Sequence, residues 1–250
     1  MEMPDAESPQ TCCPIVELRQ YKLHPGKRHV LIDLFDREFI EPQEALGMKI
    51  IGQFRDVDNR SRFVWLRGFR DMVSRAQGLK DFYGGPVWKA HRETANATMV
   101  DSDNVLLLRP VHPTSGFSCE GRHRPAPGAN ATPKELMVAT IYYFDAPVNA
   151  GFVGFFEHTI KPALTDAGAS ILACFISEHS ENTFPALPVR EGENVFVWFA
   201  RFNDQAAYEL HLAALARSPR WRDQIAKELA GRLKRAPEVL KLSPTTRSLL

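Results

Sequence analysis

Phe63-Val-Trp-Leu-Arg-Gly-Phe-Arg-Asp71 decides the fold, because its pattern occurs a second time in the chain. The pattern F-V-W-x-x-x-F-x-D returns at Phe196–Asp204, and further identities follow at the same offset of 133. Between residues 63–88 and 196–221, eight of 26 positions are identical, and two of these are pairs of tryptophan. Tryptophan occurs only 4 times in the whole chain, so two matched pairs seldom arise by chance. The chain therefore consists of two copies of one unit.

Each copy has the element order of a ferredoxin-like unit. Apolar and polar residues alternate over 15–23, as in a strand, and apolar residues three and four apart follow over 28–45, as in an amphipathic helix. Continuing along the first copy gives the order β-α-β-β-α-β, in which Asp71 is the N-cap of the second helix. The second copy repeats this order with Asp204 as the cap.

Composition divides the chain into four predicted segments. These are a disordered N-terminal tail over 1–14, a first α+β barrel unit over 15–112, a linker over 113–135 and a second unit over 136–250. The linker has no periodicity and is rich in Pro and Gly, so it is expected to be partly extended. A segment of that length can cross a whole domain, and it leaves the second unit free to pack where burial is greatest.

A single unit would leave one face of its four-stranded sheet bare. That face is predicted to carry Phe63, Trp65 and Phe69, and an apolar surface of this kind needs a partner. A second sheet packed against it would bury it, at roughly 25 cal/mol for each Å² removed from water. The predicted fold is therefore α+β, with two tandem ferredoxin-like units forming an intramolecular dimeric-type α+β barrel of eight strands.

Charge and targeting signals exclude several classes of protein. The chain has 31 basic and 30 acidic residues, so it lacks the positive surface on which nucleic-acid or membrane-surface binding depends. No apolar run approaches the ~20 residues of a membrane helix, and no secretory leader is recognised at the N-terminus. The four cysteines have no metal or redox spacing. A cytoplasmic protein with reduced thiols is predicted.

The first copy resembles a NIPSNAP domain, a family of the dimeric α+β barrel superfamily. The resemblance rests on the strand Glu17-Leu-Arg-Gln-Tyr21, the turn Pro25-Gly-Lys27, Gly52, the repeated Val-Trp strand, and Pro86 with Trp88. The second copy matches less well, and Ala139, Ile141 and Tyr143 are aligned with the E-x-R-x-Y strand. The resemblance implies a pocket between the two sheets. The superfamily includes cofactor-free monooxygenases, lactone isomerases, polyketide cyclases and heme enzymes, so the fold does not choose the reaction.

Glu17, Arg19 and Tyr21 are the leading candidates for catalysis, because they share one face of the first strand. If Val16 and Leu18 pack against the helices, the side chains of these three residues point into the barrel. There the carboxylate of Glu17 and the guanidinium of Arg19 could orient a polar substrate. Tyr21 could donate a hydrogen bond or a proton. The alternative is that Glu17 and Arg19 form an ion pair across the barrel interface.

Arg67 is the fourth catalytic candidate, since a buried arginine would bind an anionic or enolate oxygen. Its counterpart in the second copy is Ala200, so the predicted site is asymmetric. The alternative is an exposed arginine at the barrel mouth. The substrate pocket is predicted from Gln53, Trp65, Phe69, Tyr143 and Trp198, although tryptophans in such positions are more often core residues than ligand contacts. Trp88 and Trp221 are expected to pack helix against sheet.

No cofactor or metal site is expected. The eight histidines form no metal-binding motif. A third hypothesis is that the protein binds heme with His158 as a single axial ligand. The alternative is that His158 faces the solvent.

Two functions remain open at this stage, together with heme as the third. The first is a cofactor-independent enzyme that binds a small, largely apolar and partly anionic organic molecule in the barrel pocket, with monooxygenase-, isomerase- or cyclase-like chemistry. The other is a non-catalytic protein that binds small molecules or acts as a scaffold. Whether the protein is an enzyme, and whether two fused barrels pair into a homodimer, stay open.

Overall fold

The computed structural model describes residues 11–129, 131 and 133–250. Its strands are β1 Ile15–Leu23, β2 Lys49–Asp56, β3 Arg62–Phe69, β4 Met99–Asp101, β5 Val105–Pro110, β6 Leu136–Phe144, β7 Ser170–Ser177, β8 Asn194–Phe202 and β9 Glu238–Pro244. Its α-helices are α1 Arg28–Leu34, α2 Ile40–Ala45, α3 Met72–Gly84, α4 Pro86–Asn96, α5 Ala150–Phe155, α6 Lys161–Asp166, α7 Gln205–Arg217 and α8 Ala226–Arg232. Wide π-helical turns at Phe35–Phe39 and Phe156–Ile160 join α1 to α2 and α5 to α6, and a third at Trp221–Ile225 leads into α8.

Eight strands close into one antiparallel barrel. Its strand order is β1-β3-β2-β9-β6-β8-β7-β5, and β5 pairs again with β1. The first unit contributes β5-β1-β3-β2 and the second contributes β9-β6-β8-β7, and the two sheets join at β2–β9 and β5–β7. The short β4 pairs with the end of β1 and lies outside the barrel. The predicted fold, two ferredoxin-like units in an intramolecular barrel, is confirmed.

The repeated stretch also positions the helix that follows it. Asp71 Oδ1 accepts a hydrogen bond from the Ser74 backbone N–H at 2.6 Å, and the Ser74 hydroxyl lies 3.0 Å from the Asp71 backbone nitrogen and accepts its N–H. This reciprocal capping box starts α3. Asp204 caps α7 with its side chain alone, accepting the Ala207 backbone N–H at 2.8 Å. Both predicted N-caps are confirmed.

The barrel interior is apolar and filled by side chains from both units. Val16 and Leu18 of β1 face inward and share one core with Met137 and Ala139 of β6. The prediction that Val16 and Leu18 meet the helices is therefore wrong. Both faces of β1 are buried, one by the opposite sheet and one by helices, so the alternation of apolar residues could not decide between the faces.

Glu17, Arg19 and Tyr21 consequently lie outside the barrel, between the sheet and the helices of the first unit. Trp65 and Phe69 are on this same side, in the core of the first unit, and Trp198 is in the corresponding core of the second unit. The predicted pocket between the two sheets is thus occupied by packed side chains. Any site formed by these residues is a cleft between sheet and helices.

One residue of the segment predicted as a linker, Phe117, belongs to the barrel core. Phe117 is 2% exposed, and its ring centroid lies 5.1 Å from that of Phe175 and 4.9 Å from that of Phe199. Gly116 is buried beside it, but Pro113, Gly121, Pro125 and Gly128 are exposed, so only a short part of the segment is packed. Composition alone did not show this, because one buried aromatic residue gives no periodic signal.

The segment also holds the beginning of the described chain in place. The Cys12 backbone N–H donates to the Phe117 carbonyl at 2.9 Å, and the buried Cys13 packs against β3 so closely that a Cβ at Gly68 would lie 2.3 Å from its Sγ. Residues 1–10 of the predicted tail lie outside the described residues. Over 11–14, however, the prediction of disorder is wrong.

No helix in the described part of the chain is both long enough and apolar enough to cross a membrane.

We expect Phe117→Ala to lower the free energy of unfolding by about 3–5 kcal/mol, because it leaves a cavity among packed aromatic rings. Leu210→Ala is the control, since Leu210 is 69% exposed and its truncation should change stability by less than ~0.5 kcal/mol. Urea unfolding of both variants measures the difference. If the segment were a spacer that packs against nothing, both variants would change the free energy of unfolding by equally small amounts.

Candidate functional site

One carboxylate, that of Glu17, lies among three arginine side chains. Its Oε2 accepts hydrogen bonds from Arg19 Nη1 at 2.9 Å and from Arg67 Nε and Nη2 at 3.0 and 2.7 Å. Its Oε1 accepts a hydrogen bond from Arg75 Nε at 2.8 Å. All four side chains are buried. We call these four residues the Glu17 cluster.

Strand register and a helix cap bring the cluster together. β1 and β3 are antiparallel neighbours whose register places Glu17 opposite Arg67 and Arg19 opposite Trp65. Arg75 enters from the first turn of α3, so its position depends on the Asp71 cap. The repeated stretch therefore supplies one arginine directly and sets the start of the helix that supplies another.

The cluster has a formal net charge of +2, because one carboxylate faces three guanidinium groups. Burial alone would raise the pKa of Glu17, but Arg67, Arg19 and Arg75 together hold that pKa well below its ordinary value. Burial lowers the pKa of Arg67 and the Glu17 carboxylate raises it, with a net rise. Burial lowers the pKa of Arg75, but a guanidinium group stays protonated in proteins, so all four groups are charged at neutral pH. Their field acts in a dry environment, where charges interact far more strongly than in water.

Aromatic rings surround the guanidinium groups. Arg19 Cζ and Arg67 Cζ lie 5.5 and 4.9 Å from the ring centroid of Trp65. The Phe69 ring centroid is 5.5 Å from Arg67 Cζ and 5.9 Å from Arg75 Cζ. These cation–π contacts partly replace the lost hydration of the arginines. The buried indole N–H of Trp65 finds no hydrogen-bond partner among the described residues.

Two neighbouring cavities lie beside the cluster and share the lining residues Tyr21, Tyr83, Trp88 and Met99. The inner chamber has a volume of about 30 Å³, room for about one water molecule. The outer chamber has a volume of about 330 Å³, which is near the lower end of the range for small-ligand sites. Besides the four shared residues, the inner chamber is lined by Leu31, Phe35, Phe39, Gln43, Trp65, Phe82 and Ala95, and the outer one by Asn96, Ser102, Phe184, Ala186 and Leu187.

The Glu17 cluster reaches the chambers through polar residues in their walls. Arg19 Nε donates to the Tyr21 hydroxyl oxygen at 3.0 Å. Arg67 Nη1 donates to Gln43 Oε1 at 2.9 Å and lies 3.5 Å from the Tyr83 hydroxyl. The arginines are therefore directly behind the wall. Tyr21, Gln43 and Tyr83 present polar atoms that the positive charge polarises.

Tyr21 is the polar group best placed to meet a ligand. Burial raises the pKa of Tyr21, Arg19 lowers it, and the net change is a rise, so its hydroxyl is neutral at neutral pH. The hydroxyl oxygen already accepts the Arg19 hydrogen bond. Its proton remains available for donation to an oxygen atom in the chamber.

The structure brings together all four predicted catalytic residues, Glu17, Arg19, Tyr21 and Arg67. Of the predicted pocket residues, Trp65 lines the inner chamber, whereas Phe69 packs against Arg67 and Arg75 and lines neither chamber. The other three predicted pocket residues lie elsewhere. Gln53 donates to Asp36 Oδ1 at 3.0 Å and accepts from Arg124 at 3.3 Å, Tyr143 in the barrel core donates to Glu238 Oε2 at 2.7 Å, and Trp198 is in the second core.

Sequence reasoning missed Gln43, Arg75, Tyr83 and Asn182. Gln43 and Arg75 are single polar residues on helix faces, and Arg75 differs from other helical arginines only in its tertiary contacts. Trp88 was predicted to pack helix against sheet, and it lines both chambers as well. Asn182 comes from the long loop that precedes β8. The length of that loop was the one available signal.

The second unit has no equivalent cluster. The pairing of β6 with β8 places Val138, Thr140 and Tyr142 where the first unit has Glu17, Arg19 and Tyr21. The predicted counterparts Ala139, Ile141 and Tyr143 are one residue too late, and they face the barrel interior instead. Offsets from the repeat place Ala200 and Tyr208 where the first unit has Arg67 and Arg75. Apolar packing therefore replaces the charges in the second unit.

The heme alternative assigns the axial ligand to His158. His158 is exposed on the π-helical turn of the second unit, in agreement with the solvent-facing alternative. Among the described residues that line the two chambers there is no histidine or cysteine. The described residues also contain no group of three or more His, Cys, Asp or Glu arranged to hold a metal ion.

Residues 16–113 match the model of the NIPSNAP family. The resemblance of the first unit to a NIPSNAP domain, stated from its motifs, is therefore confirmed. None of the curated proteins matches the chain in sequence.

Solved structures of similar length share the whole two-unit fold. A candidate monooxygenase of Fusobacterium nucleatum is 10% identical with a TM-score of 0.56, and the match covers 93% of each chain. A candidate monooxygenase of Lactobacillus acidophilus is 15% identical with a TM-score of 0.51, over 94% of this chain and 98% of that one. An anthrone oxidase-like protein is 15% identical with a TM-score of 0.51, over 92% and 91%. At these identities the likeness shows the fold alone.

We expect Glu17→Gln to lower the free energy of unfolding at neutral pH by about 3–5 kcal/mol, because three buried guanidinium groups lose their only carboxylate. The depressed pKa means that Glu17 contributes its full stabilisation above its ordinary value of 4.5 and loses it as pH falls below that value. Below it, the wild-type stability should decline by up to ~1.4 kcal/mol per pH unit through this group. The variant should lack that part of the decline.

Glu38→Gln is the control, because Glu38 is 30% exposed and pairs with the exposed Arg37. Its loss should lower the free energy of unfolding by less than ~1 kcal/mol. Denaturant unfolding between neutral and acidic pH measures both variants. Equal stability of the two variants would show that the cluster does not need its carboxylate.

Proposed function

We propose that the cleft of the first unit binds a small, largely apolar organic molecule with one acidic or anionic oxygen, and that it acts on this molecule as a cofactor-independent enzyme. The observation that supports this is the buried net charge of +2 behind Tyr21 and Tyr83. A protein does not keep two uncompensated positive charges in its core without cost. An anionic oxygen in the chamber would offset that charge.

The composition of the chamber walls supports the class of ligand. The outer chamber is bounded by the rings of Tyr21, Tyr83, Trp88 and Phe184 and by the polar side chains of Asn96 and Ser102. Aromatic walls combined with placed polar groups are typical of sites for small organic molecules. The ligand would therefore bury an apolar body in the outer chamber and direct its oxygen toward Tyr21.

Glu17 is not a catalytic base in this scheme. Its oxygens already accept hydrogen bonds from three arginines, and its depressed pKa makes it a weak base. It acts as a positioning residue for the arginines. The described residues that line the chambers include no Asp, Glu, His or Lys. The cleft therefore suits a substrate that ionises by itself, such as an enol or a phenol, once positive charge lowers its pKa.

The resulting chemistry is stabilisation of an enolate or phenolate. The Tyr21 hydroxyl, polarised by Arg19, would donate a hydrogen bond to the developing oxyanion, and Arg67 would stabilise it through the field of the cluster. Monooxygenase-, isomerase- and cyclase-like reactions can all proceed through such an anion, so the cleft is compatible with each of them. This location, between sheet and helices, replaces the barrel pocket predicted from the sequence.

A second candidate function is binding without catalysis. It is favoured by the small inner chamber and by the lack of a base or nucleophile among the described lining residues. Anthrone, which is part of the name of one structural neighbour, distinguishes the two candidates because its enol form is a phenol. Oxygen uptake with anthrone that depends on Tyr21 and Arg67 would support an enzyme. Tight binding of aromatic anions with no turnover would support a binding protein.

We expect Tyr21→Phe to weaken binding of 2-naphthoate about 10- to 100-fold, because a hydrogen bond to a charged group is lost while the ring remains. The control is Tyr142→Phe, at the equivalent position of the second unit, which should bind within about twofold of the wild type. Isothermal titration calorimetry measures both. If the two variants bind equally well, Tyr21 does not contact the anion.

A further inference from the structure

The β7–β8 connection is the largest difference between the two units. In the first unit the corresponding loop runs only from residue 57 to residue 61, between β2 and β3. In the second unit it runs from residue 178 to residue 193. We call residues 178–193 the cross-unit loop, because it leaves its own unit and extends over the cleft of the first one.

Polar contacts of the cross-unit loop reach the Glu17 cluster. Arg75 Nη1 donates to Asn182 Oδ1 at 3.0 Å and to Thr183 Oγ1 at 3.2 Å. The Thr183 hydroxyl donates in turn to the Met72 carbonyl at 3.3 Å, in the first turn of α3. Arg75 thus donates to Glu17 through Nε and to the second unit through Nη1. The loop holds this arginine in the orientation that completes the cluster.

The loop is itself held in a defined shape. Asn182 is buried, its Nδ2 donates to the Leu187 carbonyl at 3.0 Å, and its Oδ1 also accepts the Phe184 backbone N–H at 3.1 Å. Farther along, the Arg190 backbone N–H donates to the Val105 carbonyl of β5 at 2.8 Å. One side chain, Asn182, therefore joins the fold of the loop to the position of Arg75.

Apolar contacts of the loop form one wall of the outer chamber. The Phe184 ring stacks on that of Tyr83, with centroids 6.0 Å apart and planes inclined by 26°. Phe184, Ala186 and Leu187 complete the lining opposite Tyr21 and Trp88. The Tyr83 hydroxyl lies 3.5 Å from Arg67 Nη1, so the stacked pair touches the Glu17 cluster at one end and the chamber at the other.

We propose that the cross-unit loop is the specificity element of the first unit's cleft and that it selects planar aromatic anions over aliphatic ones. The proposal rests on the proposed function, and it adds the class of ligand and the residues that choose it. Flat rings from Tyr83, Phe184 and Trp88 offer edge and face contacts that an aromatic ligand uses and a flexible chain does not. The second unit has the same fold as the first, and its cross-unit loop forms one wall of the first unit's cleft.

The test compares two probes of equal charge, 2-naphthoate and octanoate, by isothermal titration calorimetry. Phe184→Leu keeps an apolar side chain and removes the ring, so we expect it to weaken 2-naphthoate binding about three- to tenfold and to leave octanoate binding unchanged. Asn182→Ala, which frees Arg75, should weaken both anions together. Phe155→Leu, a partly buried phenylalanine of the second unit away from the chambers, is the matched control.

The outcomes separate the two proposals. If the wild type binds 2-naphthoate more tightly than octanoate and Phe184→Leu removes the preference, the cross-unit loop selects the ligand. If the wild type binds both anions but Phe184→Leu has the same preference as Phe155→Leu, the specificity proposal is overturned and the anion site stands. If the wild type binds neither probe, the proposed function fails and the specificity proposal fails with it.

Discussion

The structure of the first unit depends on one carboxylate that neutralises part of a buried group of arginines. Glu17 joins β1 to β3 through Arg67 and joins the sheet to α3 through Arg75. Without it, three guanidinium groups in the core would repel one another, with neither water nor an anion to solvate them. With it, the cluster is stable but keeps a net positive charge beside the chambers. The same arrangement thus holds the helices to the sheet and makes the cleft attractive to anions.

Duplication lets the chain separate these tasks between its two halves. Both units keep the aromatic strand, the Asp cap and the sheet that closes the barrel, so the second unit supplies what a partner subunit would supply in a dimer. Val138, Ala200 and Tyr208 fill the space that the Glu17 cluster occupies in the first unit. The second unit has no charged cluster of its own. Its Asn182 and Phe184 instead contact Arg75 and Tyr83 of the first unit.

The repeat made the fold predictable, because two tryptophan pairs at one spacing identify an equivalent strand and an equivalent helical segment without any structural knowledge. Of the four predicted catalytic residues, Arg67 lies on the repeated strand, and Glu17, Arg19 and Tyr21 lie on β1. The side of the sheet was not predictable, because Val16 and Glu17 are both buried and alternation alone does not say what covers each face. A shift of one residue misaligned β6 with β1 for the same reason. Arg75, Asn182 and Phe117 are brought to their positions by contacts between residues far apart in the chain, and no local pattern marks them.

The most direct test of the buried charge is the ionisation of a phenol bound in the cleft. An absorbance titration of 4-nitrophenol with pH, with and without an excess of the protein, compares the free and bound dye. A net charge of +2 behind Tyr21 predicts that the bound dye ionises at a lower pH than the free dye. A bound dye that ionises at the same pH as the free dye, or at a higher pH, would contradict the assignment of this cleft as an anion site.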